Sequence, residues 1–91
     1  MPNQLPSLVQ EMLRHEHVLE RMTVANEIVQ SLENDIDNFG PVEKVLKRHF
    51  ISRLKVCALH RAVVQTSIVL QLTHFYVNNY QDFSVDFPLA A

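Results

Sequence analysis

Apolar residues recur at helical intervals along the first part of the chain. Leu8, His15, Met22, Val29 and Ile36 fall seven apart, with Val18, Ala25, Leu32 and Phe39 between them. Met12 and Leu19 broaden the stripe. This spacing predicts a helix over about residues 7–38 with one side turned to a core. His15 is the polar exception in that stripe. Ser7, following Pro6, suits the N-cap. Asn38-Phe39-Gly40-Pro41 then punctuates the chain. Gly40 suits the left-handed residue that ends a helix, and Pro41 the first position of the next.

Residues 42–80 contain neither Gly nor Pro and predict one long second helix. Val42, Leu46, Phe50, Leu54, Cys57, Val64, Ile68, Leu72 and Phe75 share one side of its helical wheel. Lys44, Arg48 and Lys55 lie opposite, with Lys47 at the edge. The helix changes character halfway, because residues 62–81 carry no charged side chain. There Ala62, Thr66, Val69 and Thr73 continue the second side without charge, so this half is apolar or small all round. Such a helix is buried on more than one side. The many β-branched residues of 62–77 admit a strand, but the lack of alternation and of turn residues favours helix.

The short link forces the two helices into an antiparallel hairpin. One partner helix cannot cover the uncharged half, and a second copy of the chain can. The predicted fold is therefore all-α: a helical hairpin with a long second helix, pairing as a homodimeric four-helix bundle. Val64, Ile68, Val69, Leu72, Phe75 and Tyr76 are the expected dimer contacts. Residues 81–91 are short and broken by Pro88, and are read as a tail that is mobile or packs Phe83 and Phe87 onto the bundle.

Composition narrows the function classes. At 91 residues the chain is one domain with a limited core. The single Cys57 allows no internal disulfide and fits a reducing compartment such as the cytoplasm. No basic region followed by an apolar run marks a secretory signal. Residues 62–81 have the length of a membrane span but hold too many Gln, Thr, Ser, His and Asn residues for lipid. Glycine-rich phosphate loops and nucleophile elbows are absent from the sequence, so no catalytic residue or cofactor is assigned. His15-Glu16-His17 resembles a metal motif, but residues two apart on a helix point to different sides, and no metal is assigned.

Charge is unevenly spread. Residues 1–41 sum to −5, with Arg14 and Arg21 against seven acids. Residues 42–61 sum to +5, with Lys44, Lys47, Arg48, Arg53, Lys55 and Arg61 against Glu43. Glu33, Asp35 and Asp37 lie across the turn from Lys44, Lys47 and Arg48 and favour the hairpin modestly. The basic side of the second helix is either a solvated face or a row of cations that tracks a nucleic-acid backbone. Double-stranded RNA, recognised largely through shape and backbone, suits such a rod. The chain has no interleaved aromatic residues to stack single-stranded bases.

Three segments resemble the small RNA-silencing suppressors of the nodavirus family: MPNQLPSLVQEM at the start, NDIDNF at 34–39, and ISRL at 51–54. The resemblance implies a dimeric four-helix bundle built from one helical hairpin per chain. It also implies sequence-independent binding of double-stranded RNA along one face, which shields the duplex from the host's dicing and loading machinery. Self-association, contact with host silencing proteins and a host-cell cytoplasmic location follow from the same resemblance. It gives Arg53 the principal RNA-contacting role. The helical wheel instead groups Lys44, Arg48 and Lys55, with Arg53 on the apolar side, so both sets stand as candidates. A second reading, from a different class, is a non-enzymatic helical adaptor that binds a protein partner through residues 62–80.

Overall fold

The computed structural model describes residues 4–34 and 36–79. It contains four α-helices and one turn of 3₁₀ helix, with no strand among the described residues. The helices are α1 (Leu5–Arg14), α2 (Val18–Asn34), α3 (Pro41–Leu59) and α4 (Val63–Asn79), and the 3₁₀ turn spans Ile36–Asn38. Each helix packs on its neighbours around a ring, α1 on α2, α2 on α3, α3 on α4, and α4 back on α1. Helices α2 and α3, and α3 and α4, run antiparallel. Arg21 near the start of α2 reaches Ala58 near the end of α3, and Cys57 near the end of α3 meets Thr66 near the start of α4.

Each of the two expected long helices is divided. The first breaks at residues 15–17, where His15 is extended (φ −70°, ψ 123°). The second breaks at residues 60–62, where His60 has φ −129° and ψ 95°. The cause is visible in α4. A helix apolar all round needs cover on several sides. Folding back at residues 60–62 supplies α3 and α1 as that cover within one chain.

The break also changes which side of α4 is buried. Phe50, Leu54 and Cys57 of α3 lie in the core, as the wheel predicts. In α4 the buried stripe is Val69, Thr73 and Tyr76, so its inner side does not continue that of α3. Val64 and Phe75 are exposed instead, at 65% and 50%. Val42, expected in the core, is also exposed. The core is completed by Leu5, Leu8, Val9 and Met12 of α1 and by Ala25, Ile28 and Leu32 of α2. A buried leucine of this kind contributes about 1.5–3 kcal/mol.

Local signals are used differently from the sequence expectation. Gln4 occupies the N-cap of α1, and Ser7 lies inside that helix. Gly40 is not left-handed; with φ −66° and ψ 167° it is the N-cap of α3, and α2 has already ended at Asn34. Pro41 opens α3, where its missing N–H has no helical acceptor to satisfy. The expected positions of Asp35, Tyr80 and the 81–91 tail lie outside the described residues.

Candidate nucleic-acid interface

Helix α3 positions the exposed cations. Its inner side is fixed by Phe50, Leu54 and Cys57, each fully buried. The opposite side is therefore turned outward. Arg48, Ser52 and Lys55 are exposed there, spaced by four and then three residues, which aligns them on one side of a helix. Arg48 and Lys55 are thus about 10 Å apart along the axis. Among the described residues no carboxylate lies within ion-pair distance of either cation. Lys55 also lines a notch between α2 and α3, with Asn26 and Met22 on the facing helix. Exposed Val45 and Leu59 flank the row on the same helix.

The other expected contacts are placed elsewhere. Lys44 is half-buried, with its Nζ 4.0 Å from Asp37 Oδ1. Lys47 is not at the edge of a basic face but in the interior, 2% exposed, and its Nζ stands 3.4 Å from the centre of the Phe39 ring. A desolvated cation over an aromatic face is a structural contact. Arg53 is half-buried and donates from Nη2 to Gln65 Oε1 on α4, while its Nε has no hydrogen-bond partner among the described residues. Arg61 is exposed, yet its Nη1 donates to the carbonyls of Leu13 (2.7 Å) and His15 (3.0 Å) at the end of α1. Of the expected dimer contacts, Val69 and Tyr76 are fully buried in the chain's own core, and Ile68 and Leu72 are half-buried. Tyr76 packs on Phe50 with ring centroids 5.9 Å apart.

Sequence reasoning gave no role to Arg21. It is 7% exposed and ties the two helix breaks together. Its Nε donates to Ala58 O at 2.9 Å, and its Nη1 to His15 O at 3.0 Å and Glu16 O at 2.6 Å. Helix C-terminal carbonyls lack intrahelical donors, and a cation beside them also meets the negative end of the dipole. The only available signal was its place beside Met22 in the core stripe. His15, expected to face the core, stands in the first break with Nδ1 3.0 Å from Glu20 Oε2.

Cys57 is buried, and burial pushes its thiol pKa up. Among the described residues no group of three or more His, Cys, Asp or Glu side chains gathers as a metal site. No helix among them is long and apolar enough to cross a membrane. Comparison with protein-family models, curated proteins and solved structures found no match for the chain.

Proposed function

We propose that this chain binds double-stranded RNA without regard to sequence, through the outward side of α3, and shields the duplex from RNA silencing. The observation that supports this is the alignment of Arg48, Ser52 and Lys55 on an exposed rigid helix, with both cations unpaired among the described residues. Cations so placed meet phosphates, and a serine hydroxyl between them meets a 2′-hydroxyl across the wide minor groove of an RNA duplex. The reading is non-enzymatic and needs no cofactor. Host silencing proteins as further partners, and a place in the host-cell cytoplasm, belong to the same proposal.

We also propose self-association through α4. Val63, Val64, Leu70 and Phe75 expose apolar surface on that helix, at 86%, 65%, 40% and 50%. The uncharged character of α4 suits a contact with another copy. The same surface also favours the adaptor reading, in which a different protein docks there.

Binding of the purified chain to a short RNA duplex, with DNA duplex and single-stranded RNA as controls, tests the RNA reading at two salt concentrations. Preference for the RNA duplex, falling steeply with salt and abolished by Lys55→Glu, is the expected result. Unchanged behaviour of Lys55→Glu, or no binding at low salt, leaves the adaptor reading.

A further inference from the structure

The two ends of the bundle turn the chain by different means. At one end residues 35–40 include Gly40, and Pro41 opens α3. Proline inside a helix would cost about 3 kcal/mol, so α2 and α3 cannot merge without penalty. At the other end residues 60–62 are His, Arg and Ala, none of which interrupts a helix by itself. Helical hydrogen bonds run up to both sides of that break. The His60 N–H bonds Val56 O at 2.8 Å, and the Thr66 N–H bonds Ala62 O at 2.9 Å. His60 is merely extended. The fold-back is thus held by tertiary contacts: the buried Val69–Thr73–Tyr76 stripe, Arg61 on the carbonyls of Leu13 and His15, and Arg53 on Gln65.

We infer that residues 60–62 are a hinge through which two copies of this chain exchange α4. This rests on the self-association of α4 proposed above, and takes the buried Val69–Thr73–Tyr76 stripe, not the exposed residues, as the contact between copies. With the hinge straightened, α3 and α4 make one helix from Pro41 to Asn79, roughly 55–60 Å long. The α4 of each copy then fills the slot between α1 and α3 of its partner, and the two bundles stack with their hinge ends facing. Every packing contact of α4 is remade between chains, with the closed chain as the competing state. Exchange of an identical element adds few new contacts, so concentration decides between the two forms. The helix gains the backbone hydrogen bonds now missing at the hinge. Val69 and Tyr76 become contacts between subunits, while the outward side of α4, with Val64 and Phe75, keeps the surroundings it has in the closed chain.

A disulfide reports which chain supplies α4. Cys57 Sγ lies 4.0 Å from Thr66 Oγ1, across the α3–α4 contact. In Thr66→Cys the two thiols face each other within one chain when it is closed, and between chains when α4 is exchanged. The full chain is oxidised at a concentration where sedimentation shows dimer, and run on a non-reducing gel beside the wild type. The expected result is a covalent dimer in Thr66→Cys alone. An internally bridged monomer from a solution of dimers overturns exchange while leaving self-association standing. A wild type that remains monomeric at millimolar concentration overturns both.

Val63→Pro supplies the second measurement. Proline is favoured at the first position of a helix and is costly in a helix interior. It should leave the melting temperature of the dilute monomer within a few degrees and raise the dimer dissociation constant about ten-thousandfold, because the dimer holds two straightened hinges and each carries the proline. Dimerisation of the folded Val63→Pro chain with wild-type affinity overturns the hinge.

Discussion

Arg21 joins the start of α2 to the end of α3 through a single bond, its Nε donating to Ala58 O at 2.9 Å. The same guanidinium caps the end of α1 through His15 O and Glu16 O. One buried cation therefore serves the carbonyls of two helix termini and fixes both breaks at the same end of the bundle. Arg21→Met keeps the apolar stem and strands those carbonyls. Charge-assisted bonds contribute more than neutral ones, and orphaned buried acceptors are costly, so a loss of about 2–4 kcal/mol is expected. Urea denaturation of the variant measures it. A loss below about 0.5 kcal/mol would mean that water replaces the guanidinium without penalty.

Lys47 separates charge from function. Its Nζ lies over the Phe39 ring and its stem is enclosed, so its role is in packing between the 36–40 turn and α3. Lys47→Ala should destabilise the chain by about 1–3 kcal/mol through lost cation–π contact and lost stem burial. The slope of RNA affinity against salt should not change, because no phosphate contact is removed. A salt slope lowered by about one, with stability intact, would place Lys47 on the RNA instead.

Much of the helical content was legible because heptad spacing in residues 8–32 and the Gly40-Pro41 step are local signals. The inner side of α3 was legible as well, from Phe50, Leu54 and Cys57. The two breaks were not. His15-Glu16-His17 and His60-Arg61-Ala62 contain no helix breaker, and their turns are held by Arg21 and Arg61, which lie far in sequence from the carbonyls of Ala58 and Leu13. A wheel drawn through residue 61 therefore carries the phase of α3 into α4 and puts Val64 and Phe75 on the side of Phe50, Leu54 and Cys57, as dimer contacts. The basic row suffered less, since Arg48 and Lys55 both precede the break. The partners of Lys47 and Arg61 were not legible, because a cation's partner, a ring or a carbonyl, is a tertiary fact.

The Cys57 thiol gives a pH signature. Burial raises its pKa in the folded chain, outweighing the hydrogen bond with Thr66 and the nearby arginines. An unfolded thiol titrates near about 8.5. Above that pH the unfolded chain has released its proton while the folded chain retains it. The unfolded state then binds fewer protons, and stability falls as pH rises toward the folded pKa. Below the unfolded value both states hold the proton and this contribution is flat. Cys57→Ala should remove that alkaline decline, seen as a smaller drop in melting temperature between about pH 8 and pH 10 than in wild type. An identical drop in both proteins would assign the alkaline loss to other groups.

Arg53 and Lys55 sit two residues apart and should respond oppositely. Lys55 projects outward beside Asn26, whereas Arg53 turns toward α4 and donates to Gln65. If the outward side of α3 carries the RNA, Lys55→Ala lowers duplex affinity by about tenfold and the salt slope by about one, with the melting temperature unchanged. Arg53→Ala should instead lower the melting temperature, by about 4–8 °C for each kcal/mol lost, and leave the salt slope alone. Gln65→Ala distinguishes a positioning role from a direct one. If Arg53 serves only the α3–α4 contact, Gln65→Ala reproduces its effect on stability and changes no affinity. If Arg53 is the RNA contact that the silencing-suppressor resemblance implies, removing Gln65 frees its guanidinium and raises affinity. Duplex titrations of the three variants at two salt concentrations decide between the outward row and Arg53.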